Sequence, residues 1–501
     1  MDDFVKFAEY ILELLSLPFY ITENYLLITA LIPLLSAVII LCAGRWTQGI
    51  TIMSSVVLFV YVCLCSSYCL LKEDSTHFVV MDFGKNLHLS LNLEPIGAVF
   101  SLLIAFLWIL TSIYTTHYMK GHASYSSFLC LFSISISCTI FIAFSGDLFT
   151  TFVFYELLTL STYPLVVYNL TEESRAAGRY YFGILFFASL VLFLPVVGLL
   201  YNKFHTVDFV SYGIFIPDHS LVNFVAVCFP MMIYGIAKTA LMPMHFWLPK
   251  AMVAPTPVSA LLHAVAVVKS GVFIVIKIIL YIFGIENLKY FVQQNWLAGQ
   301  WLPYAAGCTI IASSFIALKQ KELKTLLAYS TISQLSYIIL FVSILSISSI
   351  KVTVMQLIYH ALAKITLFFV AGIIIFKTGE RYIDRIHGIG RSMPMAMIAF
   401  TIGALSMIGV PPAPTFWNKL LIFKIVFAGN DIVLSIFIVL VLTASTVLNA
   451  LYFLPIIYNA FFAKSSQNFF IKKPSIYLVL PPVVTAICTL ILFFVASLYF
   501  N

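Results

Sequence analysis

Apolar runs of about twenty residues, almost free of charge, recur along nearly the whole chain, and that is the length of helix that crosses a bilayer. They fall at 25–43, 50–71, 94–118, 125–144, 148–169, 180–201, 221–247, 256–281, 302–318, 324–347, 352–376, 394–427, 432–462 and 476–499, fourteen in all. The runs are unbroken, whereas a membrane β-barrel reads as alternating segments of about ten residues. Water could not solvate such a surface. Only 9% of the residues are charged and 62% are apolar, against about 25% charged in soluble domains. The expected fold class is an all-α membrane protein with fourteen transmembrane helices lying in the lipid bilayer.

No soluble domain is expected, because the longest polar connections lie near 72–93, 202–220 and 283–301. The first stretch, MDDFVKFAEYILELLSLPFY, starts acidic and lacks a small-residue cleavage site, so it reads as a surface-lying or short pre-helix and not as a cleaved signal. The seventh and twelfth spans are unusually long and interrupted by proline. The natural divisions are 1–93 (first helices and a loop), 94–280 (first half), 281–463 (second half) and 464–501 (last helix).

Charge sets the expected orientation. With the N-terminus outside, inner loops hold fifteen Lys and Arg residues and outer segments hold six. Cytoplasmic loops carry the basic excess, so both termini are expected on the outer, periplasmic side of an energy-transducing membrane such as the bacterial inner membrane. The net charge of +7 comes from these loops and gives no reason to expect a nucleic-acid partner. The nine cysteines, three of them in CLCSSYC, form no metal or Fe–S pattern. HGIGRSMP lacks the third glycine and the preceding strand of a dinucleotide site. No metal or cofactor is expected, and this chain carries no redox centre of its own.

Six lysines fall inside the spans: Lys238, Lys269, Lys277, Lys364, Lys419 and Lys424. Lys277 and Lys424 lie near predicted span ends and can snorkel to headgroups. The other four cannot. A charge near the bilayer centre costs about 2.5–3.5 kcal/mol on insertion scales, so such groups face a bundle interior and mark ion pathways. Glu156 lies nine residues past Asp147, about 13 Å into its helix at 1.5 Å per residue. By depth its partner is Lys238. Lys269 follows His263 by six residues, which places the two on different faces and lets them address different neighbours. Gln356, His360 and Lys364 stand at i, i+4 and i+8, one polar stripe on one helix. Histidines, and lysines desolvated by burial, exchange protons near neutral pH.

Pro243 removes a backbone donor in the seventh span, and Pro411, Pro412 and Pro414 do the same in the twelfth. Irregular backbone at membrane depth is tolerated only where protein or a water-filled cavity covers it. Each break has a lysine beside it, Lys238 or Lys419. Paired broken helices in two halves point to internal repeats around a mid-membrane ion site. The lag of about five spans predicts two inverted five-helix repeats.

At DLFTTFVFYE, KTALMPMHFWLPKAMVAPTPVSALLHA, LKQKELKTLLAYSTISQLSY, HALAK and GVPPAPTFWNK the chain resembles the antiporter-like subunits shared by respiratory complex I, Mrp-type sodium/proton antiporters and membrane-bound hydrogenases. The resemblance runs from about residue 94 to 430. It implies fourteen core helices with broken helices 7 and 12, and a proton relay in which Glu156 pairs with Lys238. It further implies that Lys269 and His263 act from the eighth helix, His360 and Lys364 from the eleventh and Lys419 from the twelfth. Gln356 departs from the pattern, standing where some large relatives have a second histidine. The function so implied is a proton-translocating subunit of a complex I-type (NADH:quinone oxidoreductase) membrane arm, with the D-type subunit of a multi-subunit Mrp-type Na+/H+ antiporter as the alternative. The implied partners are other membrane subunits of such an assembly, and the implied ions are protons, with Na+ on the alternative reading.

Overall fold

Backbone N–H and C=O groups find no water inside a bilayer, so each span closes its own hydrogen bonds as a helix. The computed structural model describes residues 24–42, 44–71, 77–84, 87–121, 124–429, 431–464 and 474–498. The acidic first stretch at 1–20 lies outside the described residues. Helical crossings are α1 (Tyr25–Cys42), α2 (Thr47–Leu71), α3 (Pro95–Tyr118), α4 (Tyr125–Phe144), α5 (Leu148–Val166) and α6 (Glu172–Phe204) in the first part of the chain. After them come α8 (Thr256–Phe283), α9 (Trp301–Leu318), α10 (Leu323–Val342) and α11 (Ile347–Thr378), then α13 (Ile432–Phe461) and α14 (Ile476–Leu498); of these, α6 and α8 contain π-type turns. The two remaining crossings are interrupted. Helix α7 runs over Val222–Gly235, leaves helical geometry at Ile236 and restarts at Trp247–Lys250. Helix α12 runs over Pro394–Ile408, breaks at Gly409 and resumes as Thr415–Phe427. The described residues therefore bear out the all-α class and the broken seventh and twelfth helices. The two breaks lie five crossings apart. Five is odd, so the second copy runs through the membrane in the opposite sense, which makes the repeats inverted.

Burial sorts the helices into an inner and an outer set. α4, α8, α10 and α11 are nearly enclosed, while α1, α2, α6, α13 and α14 bury well under half of their residues. The outer helices turn large apolar side chains outward, among them Leu35, Val38, Phe187, Leu440 and Phe494, as lipid contact requires. The charged residues singled out at mid-span are not on those surfaces. Lys238, Lys269, Lys277, Lys364, Lys419, Glu156, His263 and His360 are all buried, and of the six lysines placed within spans from the sequence Lys424 alone is exposed.

The connection at 72–93 holds an element that the sequence reading passes over. Strands β1 (Phe78–Asp82) and β2 (His88–Leu91) pair antiparallel, Phe78 opposite Leu91 and Asp82 opposite His88. Leu91 bridges onward to Ser145, and Asp147 bridges to Asp208, so the hairpin, the α4–α5 turn and the 205–219 loop cap one end of the bundle together.

Candidate functional site

The site begins at the first break. The helix α7 ends at Gly235; Ala237–Thr239 forms one tight turn and Ala240 takes a left-handed conformation. The backbone groups freed there find tertiary partners. The Trp247 indole donates to the Ala237 carbonyl at 3.0 Å, and the Met242 N–H donates to Thr309 Oγ1 at 3.3 Å. Lys238 lies in the tight turn, fully enclosed. Its ammonium donates to the backbone carbonyl of Tyr155 and sits 3.5 Å from the centre of that tyrosine's ring. Glu156 is the next residue on α5. It feels the charge of Lys238, yet the two make no ion pair within 4 Å among the described residues, and neither carboxylate oxygen has a hydrogen-bond partner there. The pairing expected from depth is thus a neighbourhood, with the ammonium held one residue away from the carboxylate.

Helix α8 packs directly on this turn. Gly271 makes that possible: a Cβ there would come within 2.6 Å of the Lys238 backbone. Two residues earlier on α8, Lys269 Nζ lies 2.6 Å from Nδ1 of His360 on α11. This contact joins the first half of the molecule to the second. His263 occupies a widened π-type turn of α8 (Leu261–Val265), a feature that often marks functional sites. Its ring packs on Phe368 at 4.7 Å, and neither ring nitrogen has a hydrogen-bond partner among the described residues. It lies within reach of the charges of Lys364 and Lys324.

Along α11 the polar stripe meets three different neighbours. His360 faces Lys269. Lys364 donates to the Leu327 carbonyl at 2.9 Å and to the Ser330 hydroxyl. Gln356 donates to Gln334 Oε1 at 3.0 Å and accepts from Asn418 Nδ2 at 3.0 Å. The amide chain Gln334–Gln356–Asn418 therefore runs from α10 across α11 to the second break. There Lys419 donates to the Ile408 carbonyl at 2.6 Å and to Thr446 Oγ1 at 2.5 Å. Gly409, in a left-handed conformation, leaves the space this lysine fills, because a Cβ there would stand 2.6 Å from Nζ.

All seven residues singled out from the sequence thus lie in the bundle interior, and Lys269, His360, His263 and Lys364 form one cluster at its centre. Lys277 departs from the sequence expectation. It does not snorkel; its ammonium is fully enclosed, 3.1 Å from Glu94 Oε2 and 2.5 Å from the Ser145 carbonyl. Its helix is an inner one, so the end of the span lies beneath the hairpin cap instead of at headgroups. Tyr155, Ser330, Gln334, Asn418 and Thr446 are partners that the sequence reading does not single out. A cavity of about 530 Å³, lined in part by Glu173, Lys250, Glu322, Lys324 and Arg381, opens at the end of the bundle opposite the hairpin. Lys324 at its wall donates to the Met252 and Ala254 carbonyls at 2.7 and 2.6 Å.

Known proteins agree with this architecture. The chain is 28% identical over 428 residues to NADH-quinone oxidoreductase subunit N of Desulforudis audaxviator, covering 83% of this chain and 81% of that one. It is 31% identical over 340 residues to the A/B subunit of a probable K(+)/H(+) antiporter of Rhizobium meliloti, covering 67% of this chain but only 33% of the relative. Among solved structures, a chain of the archaeal membrane-bound sulfane sulfur reductase superposes with a TM-score of 0.82 at 22% identity, over 96% of both chains. A chain of the Mrp complex from Dietzia sp. superposes with a TM-score of 0.78 at 22% identity, over 93% of this chain and 50% of that one. The relatives and structural neighbours are subunits of multi-subunit membrane complexes. The family model described as "NADH:quinone oxidoreductase/Mrp antiporter, TM" matches residues 145–446, which enclose Lys238, Lys269, Lys364 and Lys419, and the chain belongs to that family of multi-pass, antiporter-like membrane subunits.

Proposed function

We propose that this chain carries protons through the membrane arm of a redox-driven respiratory complex of the NADH:quinone oxidoreductase type, by way of Glu156, Lys238, His263, Lys269, His360, Lys364 and Lys419. The observation that carries the reading is the 2.6 Å approach of Lys269 to His360, which joins two titratable groups from opposite halves at the bundle centre. Buried polar atoms without protein partners, such as the oxygens of Glu156 and the nitrogens of His263, are the kind that water satisfies, and water is what a proton needs to cross the gaps. While Glu156 stays near, the Lys238 ammonium has a counter-charge. When the carboxylate moves off, the ammonium is left uncompensated in a low-dielectric interior and gives its proton to Lys269 through water. Lys269 and His360 pass it to Lys364 and on toward Lys419, and return of Glu156 reloads the first station. Lys324, whose charge His263 feels, lines the cavity at the end of the bundle. The basic bias of the loops supports a bacterial inner-membrane setting with both termini outside.

The partners on this reading are the other membrane subunits of the complex. Nearly equal mutual coverage with an NADH-quinone oxidoreductase subunit supports it. The antiporter relatives and the Mrp neighbour favour a second reading, the D-type subunit of an Mrp-type antiporter. Replacing Lys269 with Met in the purified complex, reconstituted in vesicles, should abolish proton uptake driven by the electron donor while leaving the subunit composition intact. Unchanged uptake would end the relay. Sodium-dependent transport with no electron donor, together with a mass-spectrometric partner set lacking redox subunits, would select the second reading.

A further inference from the structure

Beneath the hairpin cap lies a second line of ionisable side chains that the relay does not use. Its inner member is Lys277, with no exposed side-chain surface, 3.1 Å from Glu94 Oε2. Beyond this ion pair neither Glu94 oxygen has a hydrogen-bond partner among the described residues, although the side chain is only 9% exposed. Lys277 also feels the charge of Asp147. Asp147 in turn accepts from Ser90 Oγ at 2.5 Å and from the Ser90 N–H at 3.1 Å, on the same strand as His88. His88 Nε2 lies 3.1 Å from Asp208 Oδ1, and side-chain exposure there has risen to 14% and 34%. The groups therefore step outward from a sealed ammonium to a solvent-reached carboxylate.

The inner end points at the relay. Lys277 follows Lys269 by eight residues on one helix, a rise of about 12 Å at 1.5 Å per residue. Phe273 stands midway between them, stacked on Phe100 with ring centres 4.3 Å apart, and its own ring lies 5.8 Å from Lys277 Nζ. The stack closes the stripe between the two lysines with an apolar aromatic pair.

We propose that Glu94 and Lys277 form a proton-transfer station that connects the relay at Lys269 with the solvent beneath the 78–91 hairpin, gated by the Phe100–Phe273 stack. The proposal rests on the relay reading. When the stack parts and water enters, the Lys269 ammonium gives a proton to the Glu94 carboxylate, the partner of the Lys277 ammonium. The proton leaves through Asp147, His88 and Asp208, and the pair returns to its starting charge. One proton enters and one leaves, with no other reactant.

A buried ion pair serving only the fold would answer mutation differently. Exchanging such a pair for apolar residues of similar volume is often neutral or stabilising, so the double variant Glu94→Leu/Lys277→Met should assemble. The test measures donor-driven proton transport of the reconstituted complex for this variant, for Glu94→Gln and for Glu94→Asp, beside Lys269→Met. The expected result is an assembled complex whose transport falls tenfold or more in the double variant and in Glu94→Gln, and is kept within about threefold in Glu94→Asp. Parental transport in Glu94→Gln or in the assembled double variant overturns the station. If Lys269→Met also transports normally, the relay itself has failed; if only the Glu94 and Lys277 variants do, the relay stands without this arm.

Discussion

At the first break Lys238 reaches across to another helix. It binds the mid-helix carbonyl of Tyr155, lies against that residue's ring and has Glu156 as its charged neighbour. At the second break Lys419 turns back on its own helix and binds the carbonyl of Ile408, the last residue before the chain leaves helical geometry, with the Thr446 hydroxyl beside it. A cation at a helix C-terminus complements freed carbonyls and the helix dipole. The two lysines thus have the same place in the repeat and different compensation. The counter-charge at Lys238 sits on a side chain that can move. The compensation at Lys419 belongs to the backbone and cannot leave. On the proposed relay, switching belongs to the first break and a fixed terminus to the second.

The largest expected effect follows directly. Lys238→Ala removes the cation beside Glu156 and should lower donor-driven proton transport of the reconstituted complex by about a hundredfold or more, since each 1.36 kcal/mol of barrier is a factor of ten. Lys419→Ala loses a helix-terminus interaction worth about 1–2 kcal/mol and should lower transport by about tenfold. Vesicle proton-uptake rates for the two variants, side by side, check both. A larger loss at Lys419 would reverse the assignment.

The lysines were legible because a charge in an apolar run is conspicuous and expensive. Their partners were not, for reasons specific to each. Lys238, Lys364 and Lys419 all bind backbone carbonyls, of Tyr155, Leu327 and Ile408, and every residue carries a carbonyl. Ser330 and Thr446 are ordinary hydroxyl residues that most often bond within their own helix. Glu94 and Lys277 lie at span ends, where depth along one helix cannot distinguish a snorkelling side chain from one roofed by a distant hairpin. The breaks were legible from their prolines, yet the first begins at Ile236, well before Pro243. The freed backbone there is met by Trp247 from the restarted helix and by Thr309 from a distant one, and no local window contains Thr309.

Between the breaks the amide chain offers the next test. Gln356 bonds both Gln334 and Asn418, and Gln356→Leu leaves the buried Asn418 amide without its partner at about 1–3 kcal/mol, while Gln334 keeps its bond to the Met407 carbonyl. Transport should fall by about tenfold, because the second break loses its link to the central cluster, while electron input at the redox end continues. Equal loss of transport and of assembly would mean that the chain only holds helices together.

The glycines sharpen the contrast in stability. A methyl at Gly271 meets the Lys238 backbone at 2.6 Å, which cannot yield without moving the break. Overpacking of that kind costs about 1–3 kcal/mol, so Gly271→Ala should lower the melting temperature of the purified complex and slow transport with it. A methyl at Gly409 meets only the flexible end of Lys419, but the left-handed backbone adds strain of about 1–2 kcal/mol. Gly409→Ala should therefore cost stability in the melting curve while transport falls by less than in Gly271→Ala. The opposite order would place the sensitive backbone at the second break.

The smallest effect concerns what the second half has in place of Glu156. Glu156 is eight residues past the start of α5, and the equivalent position of α10 is Thr331, next to Ser330. The Lys364 ammonium binds that Ser330 hydroxyl and the Leu327 carbonyl, so a neutral dipole stands where the first half has a carboxylate. Ser330→Ala keeps the carbonyl and removes one hydrogen bond, a loss of about 1 kcal/mol. Transport should fall by about fivefold, the factor that 1 kcal/mol sets. Glu156→Gln keeps the shape of the first-half partner but removes its charge, and it should cost nearly as much as Lys238→Ala. If the serine and glutamate variants lose transport equally, the hydroxyl has the weight of a charge and the two halves switch alike. If they differ by more than tenfold, the carboxylate is what makes the first half the moving part.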